Sequence, residues 1–127
     1  MSERTDVTRV IDAFTERIGR GDVDGALALY DDEAAFVPEP GALVQGTAAL
    51  RGALKELAAI RPRINGKVES VLIAADTALV INSWRMTGTG PDGVEVEQRG
   101  RSADVLRRRA DGTWSILIDD PYGGGSE

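Results

Sequence analysis

Asp104 is an acidic residue inside a segment, 101–106, that otherwise has the composition of a buried strand. A carboxylate that faces a protein core is costly unless it is paired, hydrogen-bonded or protonated. Asp104 is therefore either a structural acid, bonded to nearby backbone or to Tyr30, or the polar group of a pocket. In a pocket it would serve as a neutral hydrogen-bond donor or a general acid.

Two further acids could supply the base. Asp119 alternates with Ser115 and Leu117 on the last predicted strand, so if Leu117 faces a pocket, Asp119 faces it too. Like charges in a shared dry site raise one pKa and keep a proton available for general acid catalysis. The alternative is a solvated strand exit. Glu39 lies between two prolines, in a rigid loop that would suit a positioned base or simply an exposed acid.

The chain contains neither cysteine nor histidine. Their absence excludes thiol catalysis, histidine-dependent triads and the commonest transition-metal sites. Only an all-oxygen metal site remains, and the acidic run 31–33 lacks the ligand spacing of a calcium loop. We expect no metal and no cofactor, and any acid–base chemistry must use carboxylates, tyrosine, lysine or water.

Composition limits the class of partner. The 127 residues fit one domain, 42% of them are hydrophobic and 28% are charged, and the formal net charge is −6. A negative chain is a poor ligand for nucleic acids or anionic membranes, so we expect neither as a partner. The N-terminus lacks the apolar stretch of a signal peptide, which predicts a cytoplasmic protein.

Three helices are predicted in the first half of the chain. Apolar residues recur at helical spacing over 6–19, with Thr5 as N-cap, and Asp22 caps a short second helix whose apolar stripe ends at Tyr30. A short strand follows at 34–37. A third helix is predicted over 48–60.

The second half predicts a sheet. Strands are expected at 64–74, 77–88, 94–109 and 113–119, and the short turns between them indicate an antiparallel meander. Gly100 is a candidate bulge or bend. We predict an α+β fold in which a cone-shaped, curved antiparallel sheet packs on three N-terminal helices. It forms one domain over 1–121 with a flexible tail at 122–127.

The order of elements and several local strings resemble the nuclear-transport-factor-2-like superfamily, in its SnoaL-like and ketosteroid isomerase-like branch. The strings are 21–24 (GDVD), 28–34 (ALYDDEA), 46–51 (GTAALR), 103–107 (ADVLR) and 111–114 (DGTW). The resemblance spans roughly residues 6–121. It implies the α+β cone with an internal pocket, and it specifies fold much more than activity, because this fold hosts many functions.

The resemblance also implies roles for individual residues. Ketosteroid isomerase, a standard example of acid–base tuning, uses an Asp base and an oxyanion hole made of a Tyr and a protonated Asp. Asp104 matches the protonated Asp, but Phe14 stands where the oxyanion Tyr would be. Tyr30 matches a supporting tyrosine, and Glu39 is the acid nearest to the position of the base. The related epoxide hydrolase pattern fits loosely, since Arg101 and Asp104 should point to opposite faces of a strand.

We therefore predict a small-molecule pocket protein, with possible cofactor-free, isomerase-like proton transfer on an apolar, carbonyl-containing substrate. Asp104, Glu39 and Asp119 are the candidate catalytic residues. The alternative is a non-catalytic ligand-binding or dimerisation module. The candidate substrate-binding residues, whose default role is core packing, are Phe14, Tyr30, Trp84 and Leu117. Finally, we expect a homodimer formed through the outer sheet face, where Val80, Ile116 and Ile118 are predicted to lie.

Overall fold

A computed structural model describes residues 2–125, which form three helices and one six-stranded sheet. The helices are α1 (Glu3–Gly19), α2 (Val23–Leu27) and α3 (Thr47–Ala59). The strands are β1 (Tyr30–Phe36), β2 (Val44–Gln45), β3 (Arg63–Ala74), β4 (Thr77–Thr89), β5 (Glu95–Arg108) and β6 (Trp114–Asp120). The spatial order is β2-β1-β6-β5-β4-β3. This is the predicted α+β cone, and the four long predicted strands match β3 to β6 closely.

The helix starts show how local hydrogen bonds set the boundaries. The side chain of Ser2 accepts a hydrogen bond from the backbone N–H of Thr5, so α1 begins earlier than expected and the prediction of Thr5 as N-cap is wrong. The cap of α2 is confirmed, since Oδ1 of Asp22 accepts from the N–H of Gly25 over 2.8 Å. Such caps satisfy donors that a helix start leaves free.

Tyr30 lies on a strand and not on the second helix, which is a correction to the sequence prediction. Helix α2 ends at Leu27, and the carbonyl of Leu29 already accepts a sheet hydrogen bond from the N–H of Ile116. This pairing with β6 draws Tyr30 into the sheet as the first residue of β1. Because β1 runs parallel to β6 and every other pairing is antiparallel, the sheet is mixed.

A bulge in β6 changes which residues face the core. Leu106 pairs with Ile116 and its neighbour Val105 pairs with Ile118, so Leu117 is an extra residue that resets the alternation. Ile116 consequently faces inward and is only 3% exposed, whereas Ile118 is 40% exposed. The expectation that Ile116 lies on the outer face is therefore wrong.

Val80 is also an inner-face residue, again contrary to expectation. It alternates along β4 with Ala78 and Asn82, which are both buried, and it is itself fully buried in the core between sheet and helices. The largest fully buried side chains around it include Val7, Ile18, Leu50, Leu54 and Leu106. Of the three apolar residues expected outside, only Ile118 is there, and the homodimer stays a prediction.

Gly100 is not at a bulge. The register between β4 and β5 is continuous through its pairing with Trp84. The irregularities of the sheet lie elsewhere, in β1 between Tyr30 and Ala35, in β3 between Val68 and Ser70, and in β6. A Cβ at Gly100 would lie 2.9 Å from Cζ2 of Trp84. Glycine is needed there so that the indole ring can lie flat against the neighbouring strand.

The segment after β6 contacts the sheet. The N–H of Gly124 donates to the carbonyl of Arg101 over 2.9 Å, and the indole N–H of Trp84 donates to the carbonyl of Pro121 over 2.7 Å. The flexible tail expected at 122–127 stays a prediction, and its residues 126 and 127 lie outside the described part of the chain. No helix within residues 2–125 is long and apolar enough to cross a membrane.

Candidate active site

A cavity of about 130 Å³ lies between the inner face of the sheet and the helices. Its wall is mainly apolar and includes Ile11, Phe14, Leu57, Ile64, Met86 and Ile116. Among the few polar side chains on it are Asn82, Ser102, Asp104 and Asp119. An apolar cavity with a small number of convergent polar groups is the usual form of a small-molecule site.

Asp104 and Asp119 are directly opposite one another on the paired strands β5 and β6. Both side chains are nearly removed from solvent, with 6% of Asp104 and 9% of Asp119 exposed. Because opposite residues of an antiparallel pair have their Cβ atoms about 5 Å apart, the two carboxyl groups share one small volume. The predicted pocket therefore receives two acids from adjacent strands.

Asp119 is held by a tyrosine. The hydroxyl of Tyr30 donates a hydrogen bond to Oδ2 of Asp119 over 2.5 Å, in the buried interior. Burial, followed by the negative charge of Asp119, raises the pKa of Tyr30 well above its usual range, so the hydroxyl stays protonated and remains a donor. Tyr30 in turn makes an edge-to-face contact with Phe14, whose ring centroid is 5.9 Å away.

Burial raises the pKa values of both carboxyl groups. The pKa of Asp104 lies well above its usual range, because the charge of Asp119 and a hydrogen bond to Asp119 add to the effect of burial. The pKa of Asp119 also lies above its usual range, although hydrogen bonds with Asp104 and Tyr30 oppose the effect of burial. Of the two groups, Asp104 is therefore the one more readily kept neutral.

The two carboxyl oxygens of Asp104 differ in their hydrogen bonding. Its Oδ2 accepts a hydrogen bond from the hydroxyl of Ser102 over 3.3 Å, which can alternatively donate to the backbone carbonyl of Asn82. Its Oδ1 is buried and has no hydrogen-bond partner among the described residues. A buried polar atom without a partner is rare in native proteins and calls for an explanation such as a bound ligand or water.

The other predicted site residues divide into two groups. Phe14 and Trp84 line the cavity, as expected of substrate-binding residues. Leu117, the extra residue of the bulge, is not among the residues that line the cavity. Glu39 is exposed and lies outside the cavity wall, although its neighbour Pro38 is part of it.

Arg101 takes no part in the cavity. As the strand alternation predicts, it points to the opposite face from Asp104, where its Nε donates to Oε1 of Glu69 over 2.8 Å. The strand-borne Asp-Arg-Asp group of the epoxide hydrolase pattern is therefore not assembled. Within residues 2–125 no group of three or more carboxylates is placed to hold a metal ion.

Asn82 and Tyr122 are cavity residues that the sequence did not predict. Asn82 is the inward-facing polar residue of β4. It lies two residues from both Val80 and Trp84, and this spacing along a strand is the signal that could have indicated its position. Tyr122 lines the cavity from the segment after β6 and packs edge-to-face on Trp84 at 5.7 Å between ring centroids. Nothing local to residue 122 indicates that contact, since it depends on where the chain turns after Pro121.

Comparison with known families agrees with the fold. The sequence profile of the SnoaL-like domain matches residues 7–116, which include β1 to β5 and the start of β6. The chain has no significant match among curated protein sequences. The family match covers Asp104 and Tyr30 but ends before Asp119.

Solved structures with the same fold are numerous. A candidate scytalone dehydratase from Novosphingobium aromaticivorans superimposes with a TM-score of 0.84 at 12% identity, over 98% of this chain and 95% of that one. A ketosteroid isomerase-like protein from Erwinia carotovora gives 0.82 at 18% identity, over 94% and 95%. A candidate dehydratase of the nuclear-transport-factor-2-like family from Streptomyces avermitilis gives 0.77 at 22%, over 93% and 94%. At such identities the likeness establishes the fold alone.

Proposed function

The chain belongs to the SnoaL-like domain family, and we propose that it catalyses cofactor-free proton transfer on a small apolar molecule that carries a carbonyl group. The observation that supports this most is the pairing of Asp104 with Asp119 across β5 and β6, both buried in the wall of an otherwise apolar cavity. The proposal assigns the proton to Asp104 and the negative charge to Asp119, the difference that an acid and a base at one site require.

Asp104 binds the carbonyl oxygen. A neutral carboxyl group has one proton to donate. We place it on Oδ1 of Asp104, which has no other partner among the described residues, so in the ligand complex Asp104 donates to the carbonyl oxygen and not to Asp119. When a proton leaves the carbon next to the carbonyl, negative charge develops on that oxygen. A donor already aimed at the oxygen in a dry site stabilises this charge without reorganisation.

Asp119 is the base. Its carboxylate accepts the proton from the carbon next to the carbonyl, and the electron pair of the C–H bond moves into an enolate whose oxygen is bonded to Asp104. The proton then returns to a conjugated carbon, which moves the double bond, and Asp119 is regenerated. Tyr30 holds Oδ2 of Asp119, so the other oxygen is the one that faces the substrate.

The cavity favours substrates of about one ring. Its volume of about 130 Å³ is close to the roughly 150 Å³ of engineered apolar cavities that take up benzene. Aromatic and aliphatic side chains cover most of the wall, which disfavours charged substrates because no described cation faces the cavity to pair with them. A monocyclic ketone is the simplest molecule that meets both conditions.

The alternative is a non-catalytic binding module, and the residue that favours it is Phe14. The resemblance to ketosteroid isomerase places a tyrosine donor at that position, and a phenyl ring supplies none. Catalysis by this chain must then rely on one direct donor to the substrate, Asp104. The two functions make opposite predictions for proton exchange on a bound ketone.

The test is deuterium exchange at the methyl group of acetophenone in heavy water, followed by proton NMR. We expect the protein to accelerate exchange, and Asp119→Asn to lower the rate by about 10²- to 10⁴-fold, the usual contribution of a general base. Asp104→Ala should cost a similar factor, and Asp104→Asn less, because the amide still donates. Glu39→Gln tests the other acid and should change little. Binding of acetophenone without exchange would favour the non-catalytic module.

A further inference from the structure

Asn82 is the second polar group in the cavity that lacks a partner. It lies on the inner face of β4, it is 8% exposed, and its side chain lines the cavity. Its carboxamide makes no hydrogen bond to any residue from 2 to 125, and its backbone carbonyl is bonded to Ser102. An amide has two donors and an acceptor. Unlike Oδ1 of Asp104, the amide of Asn82 is not fully enclosed, so a molecule in the cavity can reach it.

Several neighbouring polar groups of the wall are hydrogen-bonded within the protein. Thr15 donates to the carbonyl of Ile11 over 3.2 Å, Ser102 donates either to Asp104 or to the backbone carbonyl of Asn82, and Asp119 accepts from Tyr30. Structural polar residues in a core are normally bonded in this way. The carboxamide of Asn82 has no such bond within residues 2–125, so it is open to a ligand in the cavity.

Space for the carboxamide is kept open by Gly66 on the adjacent strand. A Cβ at residue 66 would lie 3.1 Å from both Nδ2 and Oδ1 of Asn82, closer than ordinary van der Waals contact. The amide therefore lies in a gap that a larger residue on β3 would close.

Asn82 and Asp104 are diagonal neighbours on one face of the sheet. Asn82 is opposite Ser102 in the pairing of β4 with β5, and Asp104 is two residues further along β5. Diagonal positions lie within about 8 Å of each other, which long side chains and a small ligand can bridge. The amide and Oδ1 of Asp104 both belong to the cavity wall, and the amide lies against Gly66, on the side of β4 away from β5.

We infer that Asn82 is a specificity-determining residue, and that the ligands of this cavity carry a second oxygen function, a hydroxyl or a carbonyl, within reach of the Asn82 amide. The inference rests on the proposed function for the location of the first carbonyl. The ligand class is a single apolar ring with two oxygen substituents, of which a 1,3-related hydroxy-ketone is the simplest.

Acetophenone and 3-hydroxyacetophenone are the probes, since they differ only in the second oxygen. Titration calorimetry should show that the wild-type protein binds 3-hydroxyacetophenone about tenfold more tightly, the effect of one satisfied hydrogen bond. Asn82→Leu, close to isosteric, should reduce that ratio to about one and leave the affinity for acetophenone equal or higher. Ser83→Ala, the next residue on the same strand but on the outer face, is the matched control and should keep the tenfold ratio.

Thermal unfolding separates a ligand role from a structural one. If Asn82 serves a ligand, Asn82→Leu should raise the melting temperature, because an unpaired amide is replaced by an apolar side chain in an apolar wall. A lower melting temperature together with an unchanged binding ratio would overturn the inference. So would a wild-type protein that binds both ketones equally or binds neither.

Failure of the inference is distinguishable from failure of the proposed function. If Asn82→Leu keeps the preference while deuterium exchange still depends on Asp104 and Asp119, the specificity role is wrong and the catalytic proposal stands. If exchange is absent but Asn82→Leu abolishes the preference, the cavity is a binding site selected by Asn82 and the catalytic proposal is wrong.

Discussion

The hydroxyl of Tyr30 lies 2.5 Å from Oδ2 of Asp119, and this bond joins the two strands of the sheet that run parallel. Tyr30 opens β1, and Asp119 lies near the end of β6, at the edge of the cavity. The tyrosine therefore fixes the orientation of one carboxylate and gives its charge a donor.

Removing the hydroxyl of Tyr30 should shift the pH dependence of catalysis to higher pH. The hydrogen bond from Tyr30 lowers the pKa of Asp119, so Tyr30→Phe should raise this pKa and require a higher pH before the base is ionised. The acid limb of the exchange-rate profile should move to higher pH, and the free energy of unfolding should fall by about 1.5–3 kcal/mol, as for hydrogen bonds to charged groups. Tyr122→Phe, a cavity tyrosine that is not bonded to the pair, should leave the limb in place. Equal profiles for the two variants would contradict the role given to Tyr30.

The raised pKa of Asp104 predicts a protein that is more stable in mild acid than at neutral pH. The folded state holds its proton at pH values where the unfolded chain, with a pKa near 3.8, has lost it. Stability should therefore fall as pH rises from about 4 through the pKa of the folded state, and then level off. Asp104→Asn should flatten this slope in urea unfolding experiments between pH 4.5 and 8. An unchanged slope would show that Asp104 is ionised in the folded protein.

The contact between Gly100 and Trp84 should be sensitive to one added carbon. In Gly100→Ala the new Cβ would meet the indole ring at 2.9 Å and the carbonyl of Pro121 at 3.1 Å, so the ring or the segment after β6 must move. We expect a loss of about 1–3 kcal/mol in stability and a changed tryptophan emission. Gly52→Ala, on α3 with no atom near the new Cβ, should instead stabilise by about 0.5–1 kcal/mol. A stable Gly100→Ala protein with native emission would contradict this explanation of Gly100.

The outer face of the sheet carries a row of apolar residues, which we predict to be a self-association surface. Leu72, Leu79, Val105 and Ile118 form one continuous row across β3 to β6, because each is paired with the next. Leu72 is 63% and Ile118 is 40% exposed, which is unusual for large apolar residues in a row. We expect light scattering to give twice the 13.5 kDa chain mass, and Leu79→Lys to give the monomer. Leu43→Lys, at a residue that is more exposed than Leu79 but outside this row, should remain dimeric. A monomeric wild-type protein would contradict the prediction.

The elements were largely predictable, because local pattern determines them. Helix α1 follows from its apolar periodicity, and β3 to β6 follow from turn residues between alternating segments. The acid in the cavity was also predictable, since Asp104 is out of place in an apolar strand. A local pattern indicates that a helix or strand is present. It also indicates which face each residue takes, as long as the alternation along the strand is regular.

The errors have physical causes that no short stretch of sequence contains. One bulged residue, Leu117, moves Ile116 inward and leaves Ile118 outside, and its presence depends on pairing with β5. Tyr30 was assigned to a helix because its spacing suits one, but pairing with β6 outweighs that preference. Asn82 is unremarkable in sequence, and only the absence of a partner among the described residues marks it.

The most direct test of the central claim is the isomerisation of 3-cyclohexen-1-one to its conjugated isomer, followed by ultraviolet absorbance for the wild-type protein and Asp104→Ala. Proton removal next to the carbonyl and its return to the distal carbon require both halves of the pair. We predict a wild-type rate well above the buffer rate and a loss of about 10²- to 10³-fold in Asp104→Ala, the usual cost of removing one donor to a developing oxyanion. Equal rates for wild type, Asp104→Ala and buffer would contradict it.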